Sequence, residues 1–220
     1  TEIYTLSLHD ALPIYMAPVF FYNDSEKPIQ PYFINPWYRE SKAPKGNVLE
    51  ILRGDFFCMP FGGINKYGNE DHPAQGETAS SVWLPVNYRK KGNLTQFIAE
   101  ISTNIRPGKV TKTVNLVDGE NVVYLNHYLE KYEGPMCLGH HAILRIPEGG
   151  DGFSISSSPI KFGIVPEQTG TVYNDGRYFS LLPGSMFVDP TKIPTVWNHN
   201  PFTNIYKFPD REGFTDVTGL

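Results

Sequence analysis

The sequence predicts an all-β protein built from antiparallel strands. It contains 20 Gly and 19 Pro residues, and aromatic residues make up 14% of the chain. Glycine and proline punctuate short strands, while aromatic side chains favour a half-buried pleated surface. Apolar residues show no periodic window of helical length, and several strand-like segments follow one another between glycine-containing turns.

The first fourteen residues, "TEIYTLSLHDALPI" from Thr1 to Ile14, are predicted to be an artefact. Translation of a DNA string that resembles a widely used sequencing adapter gives the same residues. Such a segment is excluded from fold reasoning, as an expression scar is. Residues 15–220 are then expected to form a single partial domain whose natural start is missing.

The middle of the chain gives the clearest strand pattern. Turn-like "NIRPG", "GE" and "EGP" separate four segments that favour strands. Strands joined in this way form an antiparallel meander. By contrast, the polar, breaker-rich stretch from Lys66 to Thr78 is typical of a loop. The four strand-like segments are "NLTQFIAEIST", "KVTKTVNLVD", "NVVYLNHYLEKY" and "MCLGHHAILRIP".

Alternation along these strands places apolar groups on both faces of the predicted sheet. In the third segment, Val123, Leu125 and His127 oppose Tyr124 and Tyr128. Two apolar faces indicate a sheet that is covered on both sides, as in a large sandwich.

Charge and hydropathy exclude several classes of protein. Removing Glu2 and Asp10 leaves 21 acidic against 19 basic residues, so the net charge moves from -4 to -2. No basic patch indicates nucleic acid, and no apolar run approaches the roughly 18 residues of a membrane span. Cys58 and Cys137 form neither a CxxC pair nor a disulfide framework. A cytoplasmic location is favoured, and the oligomeric state is left open.

Two neighbouring stretches carry most of the candidate chemistry. "LRGDFFCMPFGG" from Leu52 to Gly63 precedes "EDHPAQGETASSVW" from Glu70 to Trp83. Together they supply a guanidinium, carboxylates, an imidazole and an indole, which suit the hydroxyls and the apolar face of a sugar. Alternatively, Arg53 and Asp55 form a salt bridge on the strand and Trp83 lies in the core. A cell-adhesion role for "RGD" is disfavoured because "FFCMPF" should be buried.

The same two stretches resemble the paired signature of the galactose mutarotase-like superfamily, which includes aldose 1-epimerases and hexose-6-phosphate mutarotases. "GPMCLGHHAILRIP" resembles the second histidine strand of that superfamily. The resemblance implies an antiparallel β supersandwich, incomplete here at its C-terminal end. It also implies a sugar site in which a histidine protonates the ring oxygen and a glutamate accepts the proton of the anomeric hydroxyl.

Carried over position by position, the resemblance implies sugar contacts for Arg53 and an acid role for His141. Gln75 stands where the family has its first histidine, and its amide cannot cycle a proton near neutral pH. His72 is the candidate replacement, and Glu77 has no clear catalytic counterpart. The candidate site therefore has His141 and His72 as catalytic residues, with Arg53, Asp55, Gln75, Glu77 and Trp83 binding the sugar.

Two further hypotheses concern histidines. Adjacent strand residues point to opposite faces, so His140 and His141 cannot chelate one metal from a regular strand. A metal site of Asp71, His72 and Glu77 in a cupin-like protein is the weaker alternative, and no metal or cofactor is expected.

Nothing between Asp151 and Leu220 matches the final strand block of the family, which carries the glutamate. Without that block, the 220-residue chain is expected to lack the base and to be inactive in mutarotation. The leading functional interpretation is an aldose 1-epimerase-like protein that interconverts anomers of a hexose or a related sugar. The alternative is a non-catalytic carbohydrate-recognition β-sandwich.

Overall fold

A computed structural model describes residues 15–22, 24–35, 53–145, 158–165, 167, 181–190, 192–195 and 202–204. The chain forms two compact units, Thr1–Arg145 and Ile146–Leu220, where the sequence predicts one domain over residues 15–220. The segment Thr1–Ile14 lies outside the described residues. In the part of the chain that the structure describes, no helix has the length and apolarity needed to cross a membrane.

The all-β prediction is confirmed in the described residues, whose single helix is α1 (Glu77–Ser80). The strands of the first unit are β1 (Asp55–Cys58), β2 (Asn65–Tyr67), β3 (Glu70–His72), β4 (Leu84–Lys91), β5 (Leu94–Thr103), β6 (Gly108–Val117), β7 (Val123–Glu130) and β8 (Gly139–Ala142). Those of the second unit are β9 (Gly163–Ile164), β10 (Met186–Phe187), β11 (Lys192–Pro194) and β12 (Phe202–Asn204).

An antiparallel four-stranded meander dominates the first unit, with strand order β4-β5-β6-β7. Three of the four predicted segments form β5, β6 and β7, joined at the predicted turns. The fourth member of the meander is β4, which precedes them and which the sequence analysis does not predict. Lys91 pairs with Leu94 across a turn whose Gly92 has a φ of 60°. Glycine adopts that left-handed conformation without steric cost.

The last predicted segment leaves the meander. Its residues Gly139–Ala142 form β8, which pairs with β1 in a separate two-stranded antiparallel sheet. The predicted loop at residues 66–78 is wrong in part, because β2 and β3 form a hairpin there and α1 follows. A three-residue strand is too short to show a clear alternation in sequence.

The β1 strand is buried on both faces and separates two core clusters. Phe57 and Met59 pack with Trp83 and Ile101 on one side. Phe56 packs with Tyr15 on the other side. Every residue of β1 is buried, which confirms the prediction that "RGD" leads into a buried segment. The first cluster joins the β1–β8 sheet to one face of the meander, so the two sheets pack face to face.

The second face of the meander is mostly polar and partly exposed within the described residues. Tyr124 and Tyr128 on this face are 44% and 58% exposed. A side-chain ladder crosses it, in which Arg89 Nε donates to Gln96 Oε1 at 2.9 Å and Gln96 Nε2 donates to Asn115 Oδ1 at 2.6 Å. The two faces of the meander therefore differ in the described residues, because the polar face is partly exposed and its side chains bond to one another.

The second unit contains two short antiparallel pairs, β9 with β10 and β11 with β12. Val165, Phe187 and Ile193 form its core cluster.

Candidate functional site

A buried carboxylate and a partly exposed imidazole lie side by side where β1 pairs with β8. His140 Nδ1 is 2.8 Å from Asp55 Oδ2. The Asp55 residue is only 5% exposed, whereas the His140 side chain is 41% exposed. The pairing register explains the contact, because Phe57 lies opposite His140 and its strand neighbour two residues back, Asp55, faces the same way. We call this pair the Asp55–His140 dyad.

The ring of His140 lies against a cluster of three rings, Phe57, His127 and Trp83, which we call the aromatic floor. His127 stacks on Phe57 with ring centroids 4.1 Å apart. The ring of His127 meets that of His140 edge-on at 5.1 Å, and Trp83 meets His127 edge-on at 6.3 Å. These contacts place the imidazole of His140 between its carboxylate partner and a set of aromatic rings.

Lys112 lies next to His127 in the meander. It is 1% exposed and stands opposite His127 in the register of β6 and β7. Burial lowers the pKa of Lys112 to about 8, and the negative charge of Asp55 acts against that change. Burial also lowers the pKa of His127 to about 3, with further contributions from the charges of Lys112 and His140. His127 is therefore neutral at neutral pH.

The charge of Asp55 also affects the pKa of two neutral acids, Tyr32 and Cys58. Burial, followed by the charge of Asp55, raises the pKa of Tyr32 to about 12. The same two causes raise the pKa of the Cys58 thiol to about 12. Both groups stay protonated at neutral pH, so Cys58 is not a nucleophile.

The site retains hydrogen-bonding capacity. Within the described residues, Asp55 Oδ1 and His127 Nε2 are buried and make no hydrogen bond. A hydroxyl group can donate to a carboxylate oxygen and can also exchange hydrogen bonds with an imidazole nitrogen. These two buried atoms therefore keep unused hydrogen-bonding capacity beside the dyad.

Trp83 is a core residue as the structure describes it. Its indole packs in the first core cluster, and Nε1 donates to the Thr78 carbonyl oxygen at 2.8 Å. Because its only polar atom is satisfied within the protein, Trp83 contributes to the site as a part of the aromatic floor.

His72 takes part in a structural ion-pair network. Its Nε2 lies 2.8 Å from Glu70 Oε2, and the same carboxylate receives Nε of Arg106 at 2.8 Å and Nη2 at 2.7 Å. Arg106 also donates to the Pro135 carbonyl oxygen at 2.9 Å. The network ties the β2–β3 hairpin to the β5–β6 turn, and His72 is buried inside it.

The side chains of Gln75 and Glu77 hold loops. Gln75 Oε1 accepts a hydrogen bond from the Gly62 amide at 3.0 Å. The Glu77 carboxylate accepts from the amides of Asn104 and Ile105, each at 3.0 Å for its shorter contact. Neither carboxamide nor carboxylate is directed to the dyad, because each is engaged with backbone elsewhere.

His141 faces away from the dyad. Its ring stacks on Phe56 at 4.8 Å, on the side of β1 that carries the second core cluster. Arg53 precedes β1, and its charge acts on the Tyr15 hydroxyl of that same cluster. The sequence analysis assigns His141, Asp55 and Trp83 to one site, but β-strand alternation places His141 on the opposite side of β1 from Asp55 and Trp83.

The metal hypothesis has no support among the described residues. No group of three or more histidine, cysteine, aspartate or glutamate side chains in that part of the chain is placed to hold a metal ion. Asp71 instead pairs with Lys66 at 2.9 Å on the surface.

Three residues of the site were not among the sequence-predicted ones, namely His140, His127 and Lys112. The alternation in β7 is the signal that could have found His127, since it shares a face with Val123, Leu125 and Leu129. Lys112 shares a face with Val110 and Val114 in the same way.

Comparisons with known proteins find no matching family model, no matching curated protein and no matching solved structure.

Proposed function

We propose that this chain binds a hexose or a related sugar as an aldose 1-epimerase-like protein, with the Asp55–His140 dyad at the sugar. The single observation that supports this proposal is the buried Asp55 carboxylate, which holds the partly exposed His140 ring at 2.8 Å. The resemblance of the flanking motifs to galactose mutarotase-like proteins supplies the substrate class.

The dyad suits proton transfer to a sugar. When Nδ1 of His140 donates to Asp55, its Nε2 is the nitrogen that exchanges a proton with the substrate. Interconversion of anomers needs a proton delivered to the ring oxygen and another removed from the anomeric hydroxyl, so that the C1–O5 bond can break and re-form. His140 supplies the proton to the ring oxygen and recovers it on ring closure, while solvent water accepts the proton of the anomeric hydroxyl and returns it. It replaces His141 in this role because Asp55 orients the His140 ring.

A second candidate function is carbohydrate recognition without catalysis. The observation in its favour is the position of Gln75, which stands where the family carries its first histidine. Its side chain binds the Gly62 amide and cannot cycle a proton.

Polarimetry and NMR distinguish these proposals. The sequence predicts an inactive chain because the glutamate base is missing, but the dyad retains a candidate acid. We therefore expect α-galactose or α-glucose to shift the His140 ring signals of the full chain and to mutarotate faster in its presence. His140→Gln should remove the acceleration, since an acid or base group contributes roughly a hundred- to ten-thousand-fold. His141→Gln is the matched control and should retain it. Sugar binding without acceleration supports the recognition protein, and the absence of both binding and acceleration contradicts both proposals.

A further inference from the structure

The two edges of the meander are built differently. At one edge, β4 contains Pro85, an irregularity in its pairing between Pro85 and Asn87, and the basic run Arg89, Lys90 and Lys91. Proline, irregular pairing and positive charge keep an edge strand from pairing with another chain. At the other edge, β7 pairs with β6 in an unbroken register over its whole length.

The outer edge of β7 has none of these protective features. Val123–Leu129 contain no proline and no acidic or basic residue apart from His127, whose low pKa leaves it neutral at neutral pH. Within the described residues, β6 is the only strand that pairs with β7. Tyr128 and Leu129 are 58% and 38% exposed. Unpaired backbone groups flanked by uncharged, half-exposed side chains favour pairing with a further strand.

The segment that follows β7 does not cover this edge. It turns at Lys131, which has a φ of 65°. The Tyr132 hydroxyl then lies 2.7 Å from Thr103 Oγ1, and Arg106 Nη1 donates to the Pro135 carbonyl oxygen at 2.9 Å. Because Thr103 ends β5 and Arg106 lies in the β5–β6 turn, the segment crosses the end of the sheet and does not run along β7.

The side chains of β7 complement one another when the strand is paired with its own copy. Residues directly opposite each other in an antiparallel pair share a face of the sheet. In a two-fold arrangement centred on Asn126, Tyr124 of one copy lies opposite Tyr128 of the other, which gives aromatic cross-strand pairs. Moving the centre by one residue brings Glu130 opposite Glu120 in one direction and opposite Tyr124 in the other.

We infer that β7 is a self-association surface, which pairs antiparallel with β7 of a second copy about a two-fold axis at Asn126. This self-association is independent of the proposed function. On the face that packs on the β1–β8 sheet, Val123 of one copy lies opposite Leu129 of the other, and Leu125 lies opposite His127. Each copy therefore adds an aliphatic side chain beside the aromatic floor of the other. One strand pair is smaller than a standard interface, so the association is weak.

Sedimentation velocity of the full chain measures this association between about 10 µM and 1 mM, a range that suits a weak complex. We expect a reversible monomer–dimer equilibrium. Asn126→Lys sets two like charges face to face at the axis and should raise the dissociation constant about tenfold or more. Asn87→Lys is the matched control, because Asn87 is also exposed and lies in the same cross-strand row on the edge strand β4. It should leave the dissociation constant within about twofold of the native value.

A mixture of opposite charges tests the register. Asn126→Glu alone should weaken the association as Asn126→Lys does, whereas an equimolar mixture of the two variants should form a heterodimer at least as tightly as the native chain dimerises. Three results overturn the inference: a native chain that stays monomeric up to about 1 mM, an Asn126→Lys variant that dimerises like the native chain, and a mixture that stays monomeric. Weaker association of Asn87→Lys than of Asn126→Lys also overturns it, since the contact would then lie on β4.

Discussion

Gly54 offers a direct test of how closely the chain packs around the site. It lies between Arg53 and Asp55 and has a φ of +64°. A Cβ at this position would collide with the Met16 carbonyl oxygen and would lie 2.6 Å from Ala17 Cβ. The Met16 amide also donates to the Asp55 carbonyl oxygen at 2.9 Å. Gly54→Ala must therefore push the segment containing Met16 away from β1.

The loss in the free energy of unfolding has two parts, and the same substitution at a second glycine distinguishes them. The left-handed conformation costs an alanine about 1–2 kcal/mol. The collision adds about 1–3 kcal/mol, as overpacking a tight core does. Gly68 has a similar φ of +59° with nothing within 4 Å of an added Cβ. Gly68→Ala should therefore lose only the first part, and Gly54→Ala should lose about 2–5 kcal/mol in total.

Urea unfolding followed by near-ultraviolet circular dichroism measures both free energies of unfolding. We expect the midpoint of Gly54→Ala to fall well below that of Gly68→Ala, with unchanged slopes. Equal losses in the two variants would refute the close approach of Met16 to β1. In that case the packing of residues 15–17 against β1 does not stabilise that strand.

Two further outcomes concern stability. Trp83→Phe keeps an aromatic ring but loses the hydrogen bond to the Thr78 carbonyl oxygen. Because a buried acceptor then loses its partner, the free energy of unfolding in urea should fall by about 1–3 kcal/mol. An unchanged midpoint contradicts this assignment. Hydrogen bonds from Arg106 and then His72 lower the pKa of Glu70 from 4.5 to about 2. Its stabilising contribution is therefore complete above pH 4.5 and is lost as the pH falls towards 2. Glu70→Gln should flatten this part of the curve of urea midpoint against pH, and a parallel curve contradicts the assignment.

The strands with a strong period were predictable and the short ones were not. β5, β6 and β7 have eight to ten residues each, long enough for alternation and flanking turns to be visible. β4 has eight residues, yet all of them are exposed. An edge strand of this kind carries charges such as Arg89, Lys90 and Lys91 in place of an apolar face, so its sequence resembles a loop.

The candidate site was predictable in its strands but not in its side chains. The sequence analysis identified the strand that carries Asp55 and the one that carries both histidines. It chose His141 over His140 by resemblance, whereas the register between β1 and β8 brings His140 to Asp55. No local pattern reveals the pairing of two strands so far apart in the chain, because register is set by tertiary packing.

His72, Gln75 and Glu77 illustrate a related difficulty. Each is a polar residue of a type that active sites use, and each satisfies a backbone amide or a neighbouring charge in the structure. A buried polar group needs such partners wherever it occurs. Residue type alone therefore does not separate a loop-holding carboxylate from a ligand-binding one.

The separation of Asp55 from His140 has a consequence for the order in which the molecule forms. The two residues are 85 positions apart in sequence, whereas the hairpins of the meander close turns of a few residues. Short loops close at small entropic cost, and contacts between distant residues form late in folding. We therefore expect the meander to fold before β8 docks on β1, and the dyad to form only with that later closure. The contact between the two side chains is thus expected to be a property of the finished fold, acquired late in folding.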